Sequence, residues 1–347
     1  MKFKYHSFLE NRSVNDAEKI FKQRLSDAKY IYKKYSKDFV TRVCPYCESD
    51  QFKKVDEFHN MYGICKCRKC NSSFVNPVPS IEAILDYYEN CKCNRQLSQV
   101  IKKRYNSNDF INDDRVQLVC SQIDKIVDRK KSKISILEVG CNNGAFLSKL
   151  QQALDLNLKY RGCSFGIDGV DIDSDAINNP VNRELNLIHG LAEDISDTYT
   201  NKYDLIIHFE LIEHLINPIS FVNSIYKMLK SQGSMVFTTP NILGLDNQAL
   251  GYNKKRYLAH ALFPPMHLNA FSTQNIVHFL ATNGFMVDEI ETPGMLDIDM
   301  LNLCIGEVDN SVFQSIAHLD QNTRALIQEF LVEMKMSSHM QCIAIKP

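Results

Sequence analysis

The sequence predicts an α/β chain, with a mostly parallel sheet of seven strands, helices on both faces, and a small four-cysteine ribbon with flanking helices in front. Three observations carry this. From Ser132 onward, short Ile, Val and Leu runs alternate with longer stretches of helical periodicity, the pattern of β-α units around a parallel sheet. Ahead of that repeat stand two C-x-x-C pairs, Cys44 with Cys47 and Cys67 with Cys70, nineteen residues apart. Between ribbon and repeat, the two prolines of NPVPS at 76–80 forbid helix and mark a boundary.

The elements follow in order. Segment 1–40 places Ile20, Phe21, Leu25, Ala28, Ile31 and Tyr35 at three- and four-residue spacings, one face of an amphipathic helix. The ribbon takes 41–79. Ser80 then caps a helix through IEAILDYYEN, opening a helical connector over 80–131. The α/β domain takes 132–347, with strands at 134–139, 167–171, 187–189, 203–209, 235–239, 285–291 and 340–346. A helical insertion at about 293–338, marked by TRALIQEFLVEMK, joins the last two.

At 347 residues the chain exceeds one compact core. Its 44% hydrophobic and 23% charged residues are those of an ordinary soluble protein, and no apolar run is long enough for a membrane helix. The first residues, MKFKYHSFLENRS, lack a secretory signal, which predicts a cytoplasmic protein. Basic residues outnumber acidic ones in 1–131 and the reverse holds afterwards. The two kinds are interspersed, so a solvated surface is expected rather than a nucleic-acid arm.

In a reducing compartment the paired cysteines point to metal, not disulfides. Each C-x-x-C turn offers two thiolates, and Cys44, Cys47, Cys67 and Cys70 together complete a tetrahedron with no open position, which predicts one structural Zn2+. Cys65, and the C-x-C of Cys91 and Cys93, read as small apolar side chains.

The strongest signal in the α/β domain is SILEVGCNNGAFLSKL at 135–150: an apolar strand, Glu138, a loop with Gly140 and Gly144, then a helix. Glycine belongs where a chain turns sharply or lies against a ligand. The spacing differs from the G-x-G-x-x-G of dinucleotide enzymes. It resembles motif I of class I S-adenosylmethionine-dependent methyltransferases, with Asn142 at the middle glycine. The resemblance implies a Rossmann-like fold in which Gly140 to Gly144 wrap the methionine part of the cofactor, with Glu138 bonding nearby. It also implies a ribose-binding acid after strand two, best matched by Asp171, with Asp168 and Asp173 close by. In HGLAED, Leu191 fills the place of the family's adenine-binding acid, leaving the Ala192 backbone and Glu193 or Asp194 to meet adenine. Phe209, ending strand four, completes the implied cofactor set.

The block YDLIIHFELIEHL, its helix and VFTTPN resemble the rest of the family pattern. There Ser231 and Gln232 replace the usual Pro and Gly, leaving Gly233 to supply any positive φ. The ribbon with NPVPS and DYY resembles the zinc-ribbon header of bacterial methyltransferases of sugar and natural-product pathways. Oxygen acceptors usually need a base, and His267 in PPMHLNAFS is the first candidate, with His214 second. Asn241 is a further candidate contact, while His208 and His260 read as satisfied or surface histidines. The expected activity is methylation of a small hydrophilic acceptor, a sugar or nucleotide-sugar hydroxyl first. Rival readings are an RNA or protein methyltransferase gripping its polymer with the basic front half, and a non-catalytic cofactor-binding regulator.

Overall fold

A computed structural model of the chain describes residues 14–92, 110–128, 132–254, 261–294 and 297–347. Cys93 and His260 fall outside them. The front opens with α1 (Val14–Tyr35), whose stripe Phe21, Ala28, Ile31 and Tyr35 is buried, as its spacing requires. Three antiparallel strands follow, β1 (Phe52–Phe58), β2 (Tyr62–Cys67) and β3 (Ser73–Val75). Next comes α2 (Ile81–Asn90), capped by the Ser80 hydroxyl accepting from the Ala83 amide at 3.3 Å.

The main sheet has seven strands, in the order β10-β11-β8-β7-β4-β5-β6. They are β4 (Lys133–Val139), β5 (Ser164–Asp171), β6 (Asn186–His189), β7 (Tyr203–Phe209), β8 (Leu229–Pro240), β10 (Met286–Glu291) and β11 (His339–Ile345). β4 to β8 run parallel, and β11 lies antiparallel between β8 and β10. Central strands such as β7 are buried along nearly their whole length because helices cover both faces. α3 (Phe110–Asp128) and α4 (Ala145–Leu156) pack on Ile134, Ile136, Leu205, Ile207 and Val236. On the other face α7 (Pro218–Met228) and α9 (Thr273–Thr282) pack on Leu137, Val139, Ile206 and Phe237. α5 (Ser174–Asn178) and α6 (Ala192–Ile195) are short helices between strands. Strand order reverses at β4, which has β5 on one side and β7 on the other; in open α/β sheets a crevice forms at the carboxyl ends of strands beside such a reversal.

The ribbon is not a separate bead. Its sheet gains a fourth strand from far along the chain, β9 (Asn269–Ala270), which pairs with Ser73 and Phe74 of β3. Tyr46, Cys65 and Phe74 join the same buried cluster as Phe271, Phe279 and Leu280, and the Tyr46 ring meets Phe271 edge-on at 4.8 Å. Between β10 and β11 lie α10 (Asp297–Leu303), α11 (Ser311–Ala317) and α12 (Gln321–Glu333). They share a small core of Ile298, Leu301, Cys304, Val308 and Leu331 with α8 (Leu245–Leu250).

One turn departs from expectation. Gln232, not Gly233, takes the left-handed conformation, with φ 62°. Gly233 is required for another reason, since a Cβ there would stand 2.8 Å from the Lys230 carbonyl oxygen. Among the described residues, no helix is long and apolar enough to cross a membrane.

Candidate functional site

At the carboxyl ends of β4 and β5 the loop after Val139 is held open by three left-handed residues: Gly140 at φ 78°, Asn142 at 49° and Gly144 at 75°. A Cβ on Gly144 would also crowd Leu185 at 2.9 Å. The loop is fastened to β5: the Gly140 amide donates to the Val170 carbonyl at 2.9 Å and the Asn142 amide to the Asp171 carboxylate at 2.7 Å. Asp171 also accepts from the Asp173 amide at 2.8 Å. Of the three neighbouring acids, Asp168 is tied to Lys202, Tyr203 and Asn186, and Asp173 caps α5. Asp171 is thus the one at the strand end beside the glycine loop, and burial lifts its carboxyl above the usual range.

Glu138 is 4% exposed, and its Oε2 has no hydrogen-bond partner. Burial, against the opposing charge of Arg115, pushes its carboxyl up to about 8. The Arg115 guanidinium lies 4.5 Å over the Phe209 ring, and Phe146 meets that ring edge-on at 4.9 Å. On the far side, the Gly190 amide donates to the Asp171 carbonyl at 3.0 Å, which carries α6 to the same rim. Ala192 is buried there, and burial raises the half-buried Glu193. The expected cofactor residues Glu138, Gly140, Asn142, Gly144, Asp171, Phe209, Ala192 and Glu193 therefore line the ends of β4, β5, β6 and β7.

A second group lies past the end of β7. The backbone turns through Glu210, at φ 52°, into a 3-10 turn over Ile212–His214. Glu213 is 1% exposed; its Oε2 accepts from the Thr239 hydroxyl at 2.9 Å and its Oε1 has no hydrogen-bond partner. His214 Nδ1 shares a 3.0 Å hydrogen bond with the Tyr88 hydroxyl, its Nε2 lies 3.8 Å from Glu213 Oε1, and burial pushes its pKa down to about 4. His267, 5% exposed, sets its ring perpendicular to His214 at 4.7 Å. Glu210 accepts from Thr238 at 2.7 Å and pairs with His339 at 2.8 Å.

The structure therefore brings His267 and His214 together, and adds residues the sequence did not single out. Glu210 and Glu213 are the two acids of FELIEH, which was read only as a family pattern. Their signal was the E-x-x-E-H spacing itself. Two other candidates are corrected. Asn241 is spent inside the fold, its amide donating to the Lys335 and Ser337 carbonyls and its oxygen accepting from Leu243. His208 is neither satisfied nor on the surface: it is fully buried, stacked 4.7 Å from Phe237, with neither ring nitrogen hydrogen-bonded. Burial pushes its pKa down to about 3, so it stays neutral.

In the ribbon the four sulfurs of Cys44, Cys47, Cys67 and Cys70 lie within 4.8 Å of one another. Cys44 Sγ is 3.5 Å from Cys70 Sγ, and Cys47 Sγ is 3.7 Å from Cys67 Sγ. A tetrahedron with bonds of about 2.3 Å, the zinc–thiolate length, has edges of about 3.8 Å. Cys65 stands apart from this set, near the Asn76 carbonyl, and Cys91 is buried among Ile31, Tyr35 and Tyr87.

Ribbon and His267 segment are clamped by Arg42 and Asn269. Arg42 donates to the Ile216 carbonyl at 2.7 Å, the Leu268 carbonyl at 3.2 Å and the Asn269 side-chain oxygen at 3.0 Å. The Asn269 amide donates in turn to the Leu215 carbonyl at 2.6 Å, and the Leu268 amide to the Glu213 carbonyl at 2.8 Å.

Comparison with known proteins gives concordant matches. A family model described as a methyltransferase domain matches residues 111–290. The ubiquinone biosynthesis O-methyltransferase of Shewanella pealeana is 31% identical over 107 residues, covering 30% of this chain and 43% of that protein. Its mitochondrial counterpart from Dictyostelium discoideum is 25% identical over 142 residues, covering 37% and 44%. The chain spans about half the length of the curated relatives it matches. Among solved structures, a SAM dependent methyltransferase from Archaeoglobus fulgidus aligns at 17% identity and TM-score 0.42, over 72% of this chain and 99% of that one. The plantazolicin methyltransferase BamL, in complex with a triazolic desmethylPZN analog and SAH, aligns at 15% identity and TM-score 0.47, over 76% and 94%.

Proposed function

Starting from a chain that belongs to the methyltransferase domain family, we propose that it transfers a methyl group from S-adenosylmethionine to an oxygen of a small hydrophilic acceptor. The observation that carries this is Glu138, a buried carboxyl with an unpartnered oxygen beside a left-handed glycine loop, at the end of the strand where the order reverses.

The residues fit the cofactor. Glu138 accepts hydrogen bonds from its cationic amino-acid end, and Gly140, Asn142 and Gly144 let the backbone lie against it. The Asp171 carboxylate has lone pairs left for the two ribose hydroxyls. The Ala192 backbone and Glu193 meet the adenine, and Phe209 closes the crevice. When bound, the cofactor supplies an already activated methyl on sulfur, so the chain has chiefly to position and dehydrate the acceptor.

His267 and His214 stand where an acceptor hydroxyl must lose its proton. His214 is held neutral at physiological pH by burial, which makes it a weak proton acceptor and leaves His267 the first candidate for that part. The four ribbon thiolates hold one structural Zn2+, as their tetrahedral spacing supports. Zinc-bound thiolates fit a reducing, cytoplasmic setting. The relatives named O-methyltransferases support oxygen as the acceptor atom. A sugar or nucleotide-sugar hydroxyl is the class we place first, on the resemblance of the ribbon header alone.

The test is incubation with methyl-labelled S-adenosylmethionine and, in parallel, nucleotide sugars, free sugars, hydroxylated aromatics and RNA. Label should enter a small-molecule pool, and Asp171→Ala should abolish cofactor binding. Label in RNA alone, or in no pool, would overturn the reading.

A further inference from the structure

We propose that Glu213, His214 and His267 form a second, open metal site that holds a divalent cation through two nitrogens and one oxygen. Their ligand atoms lie within 4.8 Å of one another. First-shell bonds of about 2.0–2.2 Å put neighbouring donors roughly 3 Å apart, so the set closes on an ion by side-chain movements of about 1 Å.

The hydrogen bonds around the group are what a cation site requires. Metal-bound histidines and carboxylates are oriented through the atom that does not touch the metal. Here Tyr88 takes His214 Nδ1 and leaves Nε2 turned toward Glu213, 3.8 Å from Oε1. Thr239 takes Glu213 Oε2 and leaves Oε1 buried without a hydrogen-bond partner. A carboxylate this deeply enclosed needs a compensating positive charge or a proton. The frame is rigid as well. The His267 segment is fastened to the Glu213 turn by the Leu268 amide and by Asn269, so the ligands sit on two backbone stretches fixed to each other.

Three protein ligands of mixed nitrogen and oxygen suit Mn2+, Fe2+, Co2+ or Zn2+, and leave positions open for water or an acceptor oxygen. This separates the site from the ribbon, whose four thiolates close their tetrahedron. With an ion bound, His214 and His267 hold it instead of acting as bases; the cation lowers the pKa of an acceptor hydroxyl bound beside the methyl donor, the proton passing to solvent. Only this last role rests on the methyltransferase reading; the binding does not.

The experiment is titration of the full chain, with its ribbon zinc retained, using Mn2+ followed by electron paramagnetic resonance and Co2+ followed by absorbance. Mn2+ avoids thiolates, and retained zinc blocks the ribbon to Co2+. One additional ion per chain is expected. Glu213→Gln keeps an oxygen for Thr239 while removing the charge; it and His267→Ala should each weaken that ion tenfold or more, leaving zinc content and cofactor binding as in the wild type. Absence of either ion from the wild type, or equal binding by both variants, overturns the site. If chelation of the second ion leaves turnover unchanged, its part in the reaction is overturned while methyl transfer stands. If the ion binds and no acceptor is ever methylated, the site stands and the functional reading fails.

Discussion

The Arg42 guanidinium and the Asn269 side-chain oxygen are joined at 3.0 Å, the one from the strand-edge segment ahead of the ribbon knuckle, the other from β9 just after His267. Asn269 also satisfies the carbonyls of the Glu213 turn, so a single side chain ties ribbon, turn and His267 segment together. Asn269→Ala leaves the Leu215 carbonyl and the Arg42 charge short of partners in a buried place. We expect a loss of about 2–3 kcal/mol in urea unfolding, with faster proteolysis of the ribbon. A variant as stable as the wild type would show that the clamp is dispensable.

His208 gives a pH prediction. Its folded pKa, near 3, is depressed below the ordinary 6.5 of an unfolded histidine. The unfolded chain therefore binds a proton that the folded chain refuses, and stability is complete above pH 6.5 and falls as pH drops toward 3. The slope is about 1.4 kcal/mol per pH unit in that window. His208→Leu puts an apolar side chain between Phe221 and Phe237 and removes this pH dependence. Denaturation between pH 7 and 5 should lose stability less steeply in the variant.

Glu138 has the opposite sign. Its carboxyl is raised to about 8, above an unfolded value near 4.5, so the cofactor-free protein loses stability as pH rises from 4.5 through 8. Glu138→Gln should be the more stable protein at pH 8, by on the order of 4 kcal/mol, and the weaker binder of S-adenosylmethionine. Thermal melts across that pH range, paired with calorimetric titration, check both halves. A variant that is less stable at pH 8 would count against a strained carboxyl.

The ribbon should carry one zinc per chain. Cys70→Ser, or a strong chelator, should release it and lower the melting temperature by several degrees, because the thiolates hold no fold-organising charge partner without it. Native mass spectrometry before and after chelation gives the stoichiometry. Full zinc content in Cys70→Ser would remove that residue from the set.

Most of the seven strands were legible as apolar runs between helical periods, a signal carried by neighbouring residues alone. β9 was not legible: two residues, Asn269 and Ala270, have no period, and their pairing with β3 is decided by packing across the whole chain. The glycine loop and Asp171 could be read from spacing. Glu213 lay in the E-x-x-E-H spacing, but its buried oxygen without a hydrogen-bond partner was not legible, nor was the Tyr88 hydroxyl brought from α2. His208 shows the same limit: sequence position gave its strand but not the phenyl rings that enclose it.

The borrowed fourth strand also bears on the order in which the molecule can be assembled. During synthesis β1, β2 and β3 emerge early, but the edge of β3 stays unpaired until Asn269 and Ala270 have been made. Tyr46 likewise waits for Phe271 and Phe279. A nascent chain released before that point exposes an open strand edge and apolar rings, the features that promote association of incomplete chains. The ribbon is translated ahead of the main sheet, yet it is finished only after most of that sheet has been made.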